Sequence, residues 1–243
     1  MTKAQDIIDI IRRIIMSVIL TGSQKKKIGK TIIGIKMAVE LSRGGRRVLM
    51  VDISSGKVKM SEYLNVDEGI IYDVIDVLQK TCSLDQALIE IKENLYLLPS
   101  PRIAGKIDKL NRELFMNLFQ YTDDFDVVII DADSLTCACI DFSKIDNAIT
   151  LNNNDFSCIK EINADKAISS QTSNFIAVIN RYNKKEAKRG RMLKITDIEK
   201  LTKTNISSII EENINYFSFS HEKFFDEYIL KTEIDHIIKK LNL

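Results

Sequence analysis

Proline is nearly absent from this sequence and glycine is scarce, at 2 and 9 of 243 residues. Long linkers, collagen-like repeats and low-complexity tracts need one or both, so they are excluded. Net charge is equally thin: 35 Lys and Arg stand against 34 Asp and Glu, a formal +1. A chain so balanced has no global field to draw in nucleic acid or anionic lipid, so any such contact has to be local. Long hydrophobic runs are missing too. The apolar stretch 14–20 is short, and Arg12 and Arg13 precede it. It falls well below the roughly 20 apolar residues of a membrane span, and it does not read as a secretory leader. The four cysteines, Cys82, Cys137, Cys139 and Cys158, are therefore expected as reduced thiols of a cytoplasmic protein. Cys137-x-Cys139 lacks the second pair or nearby histidine that would complete a metal site. The two histidines, His221 and His236, lie far along the chain from any Ser or Cys with nucleophile context, so a histidine triad has no support.

What the chain does have is alternation. Runs dense in Val, Ile and Leu fall at 14–21, 47–52, 95–99, 126–131, 148–152, 175–180 and 205–210. Continuous apolar runs of this length suit strands buried on both faces. Helical patterns lie between and after them, at 29–42, 70–80, 84–91, 109–121, 156–170, 195–203 and 221–241. The expected fold is α/β: a single domain with a mostly parallel, doubly wound sheet of about seven strands and helices on both faces. That domain covers 14–243. Residues 1–13 precede it as an N-terminal helical extension, with a stripe of Ile7, Ile8, Ile10 and Ile11. It reads as a helix packed on the core or as a helix that binds a partner. Ligands of such sheets sit at the carboxyl ends of the strands. The residues ending those strands are Gly22, Asp52, Asp131 and Asn180.

One of those ends carries a motif. Lys25-Lys26-Lys27-Ile28-Gly29-Lys30-Thr31 follows the first strand and opens the first helix. A phosphate-binding loop needs that context, because backbone N–H groups and the helix dipole then converge on the anion. Lys30 would reach the phosphates, and the Thr31 hydroxyl would ligate Mg²⁺. Asp52 and Asp131, each ending a neighbouring strand, are the usual acids behind such a metal. Asn180 offers both a donor and an acceptor to a base edge.

This loop resembles that of the MinD/ParA family of deviant Walker A P-loop ATPases, of the SIMIBI type. The resemblance is carried further by residues 71–77, by Leu84-Asp85-Gln86-Ala87-Leu88-Ile89, by Asn94-Leu95-Tyr96-Leu97-Leu98-Pro99, and by Ile179-Asn180-Arg181-Tyr182-Asn183 with Lys188-Arg189-Gly190 and Asp197-Ile198 beyond. It extends from about residue 14 to about residue 240. It implies ATP and Mg²⁺ as ligands. The nucleotide-binding residues would be Lys25, Lys26, Lys27, Ile28, Gly29, Lys30, Thr31, Ile32, Asn180 and Arg181, with Thr31, Asp52 and Asp131 at the metal. Lys25 falls on the family's signature lysine, which reaches across a dimer to the partner's nucleotide. Lys25 and Asp52 would then be the catalytic pair. The resemblance also implies an ATP-driven homodimer, a protein regulator or effector, and a role as a spatial regulator of cell division.

The sequence departs from the family pattern at named places. Gln24, Lys26 and Lys27 stand where the family has glycine. Forcing a non-glycine residue into the left-handed region costs on the order of 1–2 kcal/mol. Two such positions would weaken binding about tenfold to a thousandfold. The added positive charge acts the other way. Ser54 replaces an acid that positions water, Asp133-Ser134 replaces a Pro-Ala pair, and Glu211 replaces a proline. Weakened hydrolysis is the expectation. A non-hydrolysing scaffold of the same fold, or a flagellar-placement paralogue, stands as the alternative. At the C-terminus, Leu230, Ile234, Ile237 and Leu241 recur at helical spacing and read as a last core helix. The separate membrane helix of the family looks absent, and peripheral membrane contact would then need a dimer or a partner.

Overall fold

A computed structural model of the protein describes residues 16–213 and 219–243. Eight strands form one sheet: β1 (Ser17–Gly22), β2 (Val48–Asp52), β3 (Ile89–Lys92), β4 (Leu95–Leu98), β5 (Val127–Asp131), β6 (Asn147–Asn152), β7 (Asn174–Tyr182) and β8 (Ile206–Glu211). Their spatial order is β3-β4-β2-β5-β1-β6-β7-β8. Every neighbouring pair is parallel except β3 with β4. The N-terminal extension expected over residues 1–13 lies outside the described residues.

Strands β1, β2, β5 and β6 are buried along their whole length. Successive side chains of a strand leave the sheet on opposite faces. Val127 and Ile129 of β5 accordingly join one apolar layer, with Ile35, Met37 and Ile234. Val128 and Ile130 join the other, with Val74, Phe115 and Phe142. Helices Lys30–Arg43 and Lys231–Ile238 contribute to the first layer and helix Val74–Leu78 to the second. Among the described residues, no helix is long and apolar enough to cross a membrane. The apolar positions of the last helix face inward, with Ile234 and Ile237 fully buried.

Two expected helices are corrected. The helical pattern over 84–91 yields only a short helix, Leu84–Ala87, and then strand β3. There Ile89 and Ile91 are half-buried while Glu90 and Lys92 are exposed, a period of two rather than 3.6. A tight turn at Glu93 and Asn94, with Asn94 at φ 62°, folds β3 back on β4 as the eighth, antiparallel strand. Asn tolerates that left-handed conformation better than most residues. The pattern over 221–241 splits into helices His221–Phe224 and Lys231–Ile238. At the break, the buried ammonium of Lys36 donates to the carbonyls of Phe224 at 3.2 Å and Asp226 at 2.9 Å. Glu40 balances the charge, 3.4 Å from Lys36 and 2.8 Å from Arg43.

Truncating a side chain at the centre of this sheet removes apolar contact and leaves a cavity. Ile129→Ala is expected to lower stability by about 2–5 kcal/mol. Urea unfolding should show a lower midpoint with an unchanged slope.

Candidate functional site

Strand register builds the site. Thr21 of β1 and Asp52 of β2 both lie opposite Asp131 of β5, so three neighbouring strands end level. Asp131 is fully buried and accepts two hydroxyls: Thr31 Oγ1 at 2.6 Å and Thr21 Oγ1 at 3.2 Å. Burial pushes its pKa up to about 7, and the neighbouring Asp52 charge adds to the rise. Thr31, Lys30 and Thr21 oppose the shift. Asp52 is also raised by burial, against the hydrogen bonds it accepts. Its Oδ1 takes the Ser54 N–H at 2.9 Å and the Ser54 hydroxyl at 2.6 Å, and its Oδ2 takes the Met60 N–H at 2.9 Å.

The loop between β1 and helix Lys30–Arg43 has its glycines where the backbone demands them. At Gly22 an added Cβ would lie 2.7 Å from the backbone nitrogen of Leu135. Gly29 has φ 92°, and a Cβ there would lie 2.7 Å from Asn180 Nδ2. Of the lysines in glycine positions, Lys27 alone is left-handed, at φ 57°, and Lys26 is not. The expected strain at two positions is thus corrected to one, about 1–2 kcal/mol. Both side chains are exposed. Lys26 takes an ordinary conformation because the turn places only its neighbour in the left-handed region. The first hydrogen bond of the helix runs from Ile33 N–H to the Gly29 carbonyl at 3.0 Å. The N–H groups of Lys30, Thr31 and Ile32 precede it and have no intrahelical partner.

Lys30 Nζ donates to the Lys25 carbonyl at 3.4 Å, and burial lowers its pKa while Asp131 and Asp133 act to raise it. Lys25 is held within its own chain, by Asn153 Oδ1, by Asp155 Oδ2 at 2.5 Å and by Glu161 at 3.6 Å. Asn180 Nδ2 donates to the Ile28 carbonyl at 2.6 Å, and Asn180 Oδ1 accepts the Arg181 N–H at 2.9 Å. Beside them opens a cleft lined by Gly29, Ile32, Asn180, Arg181, Glu211 and Phe219.

The residues anticipated from sequence therefore gather at one edge of the sheet. Lys25 to Ile32, Asp52 and Asp131 surround the loop, and Asn180 and Arg181 border its far side. Sequence reasoning missed Thr21 and the trio Asn153, Asp155 and Glu161. The strand-end argument that picked out Asn180 applied equally to β6, which ends at Asn152, one residue before that trio begins. Ser54 turns onto Asp52 rather than into the loop. Asp133 accepts the Ser55 N–H at 2.7 Å.

The donor set suits a triphosphate and a hard cation. Two lysines and the start of a helix offer positive potential. A hydroxyl and two carboxylates are oxygen ligands of the kind Mg²⁺ takes together with phosphate. Among the described residues, no group of three or more His, Cys, Asp or Glu could hold a metal alone.

A Lys-Thr loop between a central parallel strand and its helix, with aspartates ending the adjacent strand β5 and the next strand β2, defines a P-loop nucleotide-binding fold. A family model described as an AAA domain matches residues 16–141, just over half the chain, so the chain belongs to that family. The chain is 27% identical over 205 residues to the septum site-determining protein MinD of Synechocystis, covering 81% of this chain and 76% of the relative. Among solved structures it is similar to Pyrococcus horikoshii MinD complexed with Mg-ADP, with a TM-score of 0.76, 21% identity, and 91% and 94% of the two chains covered. A ParA-family ATPase from Chlorobium tepidum matches with a TM-score of 0.76 at 20% identity, covering 92% and 98%. The resemblance to the MinD/ParA family is borne out.

The elevated Asp131 pKa has a sign that can be checked. The folded state holds this proton more tightly than the unfolded chain does. Its contribution to stability is full below about pH 4, the unfolded value, and is lost as pH rises to about 7. Asp131→Asn mimics the protonated group. In Mg²⁺-free buffer, the melting temperature of that variant relative to the parent should rise between pH 4 and pH 8.

Proposed function

We propose that this chain binds Mg-ATP at the loop 25–31 and acts as a MinD-like spatial regulator of cell division, through ATP-dependent dimerisation. The observation that carries the reading is the convergence on Asp131. Thr31, Lys30 and Asp52 meet there at the start of a helix, the arrangement a bound triphosphate and its Mg²⁺ require. Lys30 neutralises phosphate charge. Thr31, with Asp131 and Asp52 behind it, holds the metal, which supplies charge stabilisation at the phosphates. Asn180 and Arg181 take the base in the cleft beside Gly29. The Mg-ADP named for the Pyrococcus relative supports the same ligand class here.

Hydrolysis is slow in this reading. Ser54 cannot serve as a base, and its hydroxyl and N–H are both committed to Asp52. The same observation favours a second reading, a scaffold that binds partners without turnover. Lys25 would have to leave Asp155, Asn153 and Glu161 to reach a second subunit, so dimerisation exchanges those contacts. Cytoplasmic placement follows from this role. The apolar face of helix Lys231–Ile238 is spent on the core, so this helix presents no such face to a membrane.

A thermal shift with Mg-ATP tests binding. At a hundredfold excess over Kd the gain is about 2.7 kcal/mol, and Lys30→Ala should remove it. No shift at millimolar Mg-ATP leaves the scaffold. A turnover above about 1 s⁻¹, the range of ordinary enzymes, that Lys30→Ala abolishes would overturn slow hydrolysis.

A further inference from the structure

The loop after β5 holds two thiols that the site does not use. Cys137 is exposed, Cys139 is buried, and their Sγ atoms lie 2.7 Å apart. A disulfide bond measures about 2.05 Å. Leu135, two residues earlier, is fully buried and covers Gly22 so closely that no Cβ would fit between them. Ala132 N–H donates to the Thr21 carbonyl at 3.0 Å, which ties the start of the same loop to the strand bearing the phosphate loop. The turn itself is held by Cys137 N–H to the Ser134 carbonyl at 3.4 Å and Ile140 N–H to the Cys137 carbonyl at 3.1 Å.

We propose that Cys137 and Cys139 form a reversible thiol–disulfide pair, oxidised by a low-molecular-weight disulfide, whose closure strains the loop over Gly22 and weakens nucleotide binding. The exposed Cys137 attacks first, as a thiolate. The S–S bond of the small disulfide breaks, and one small thiolate leaves and takes up the proton Cys137 gave. Cys139 then loses its proton, and its sulfur attacks the Cys137 sulfur of the mixed disulfide. The second small thiol leaves. Two protein thiols are oxidised and one small disulfide is reduced to two thiols.

The surroundings favour this order. The hydrogen bond from Cys139 brings the Cys137 pKa down to about 6, against burial and Asp133. The same bond, with burial, pushes Cys139 up. An accessible thiolate beside a protonated, sheltered thiol is the pairing that exchange needs. Cys139 is fixed in the core, so shortening the S···S distance draws Cys137 inward, and Leu135 has no slack against Gly22.

The disulfide stands apart from the nucleotide reading, and the coupling rests on it. The full-length protein is equilibrated in a series of reduced and oxidised glutathione, alkylated and cut with trypsin. One tryptic peptide, 113–144, contains Cys137 and Cys139 and no other cysteine. It should become lighter by two hydrogens, escape alkylation, and revert with dithiothreitol. The oxidised protein should bind Mg-ATP at least about fivefold more weakly. Cys137→Ser should abolish both changes and leave the reduced-state affinity intact. Free thiols throughout, or glutathione retained on Cys137, would overturn the pair. A closed disulfide with unchanged Mg-ATP affinity would overturn the coupling alone. A reduced protein with no affinity for Mg-ATP would defeat the nucleotide reading and the coupling with it, while the peptide mass still decides the disulfide.

Discussion

Two carboxylates, Asp52 and Asp131, are buried side by side because the strands that carry them run parallel and in register. Like charges so placed cannot both ionise cheaply without a cation between or beside them. The protein answers in two ways. Asp52 is satisfied by its own chain, through Ser54 and Met60. Asp131 is left to Thr31, Thr21 and the lysine of the loop, so the start of helix Lys30–Arg43 is tied to the sheet through one acid. On its far side the loop is held by Asn180, which donates to the Ile28 carbonyl.

Much of this arrangement was legible in the residues. The runs ending at Asp52, Asp131 and Asn180 are continuous in β-branched and aliphatic side chains, and a doubly wound sheet puts such ends at one edge. What was not legible depended on contacts distant in sequence. Strand β3 was hidden because Ile89 and Ile91 fit a helical pattern as well as a strand, and pairing with β4 decides between them. The break after Phe224 was hidden because the apolar spacing continues across it, and Lys36, which holds the carbonyls there, would ordinarily be placed at the surface. Within the site, motif matching identified Lys25 but not its partners Asn153, Asp155 and Glu161, which lie beyond a different strand.

The departures from the family pattern divide into two kinds. Lys26 costs nothing in backbone terms, and Lys27 carries the left-handed strain alone, with both side chains in solvent. These changes place two charges in solvent and one residue in a strained conformation. Ser54 is different. It removes an ionisable group and turns its hydroxyl onto Asp52, which changes what chemistry the edge of the sheet can perform. That division is what the proposed reading of retained binding with slowed hydrolysis rests on.

In the proposed reading, the lysine-filled loop still cradles phosphate. A crystal structure with Mg²⁺ and a non-hydrolysable ATP analogue tests it most directly. The β-phosphate is expected within hydrogen-bond distance of the Gly29, Lys30 and Thr31 N–H groups, with Lys27 still left-handed. An analogue bound away from these groups, or a loop refolded so that Lys27 leaves the left-handed region, would contradict it.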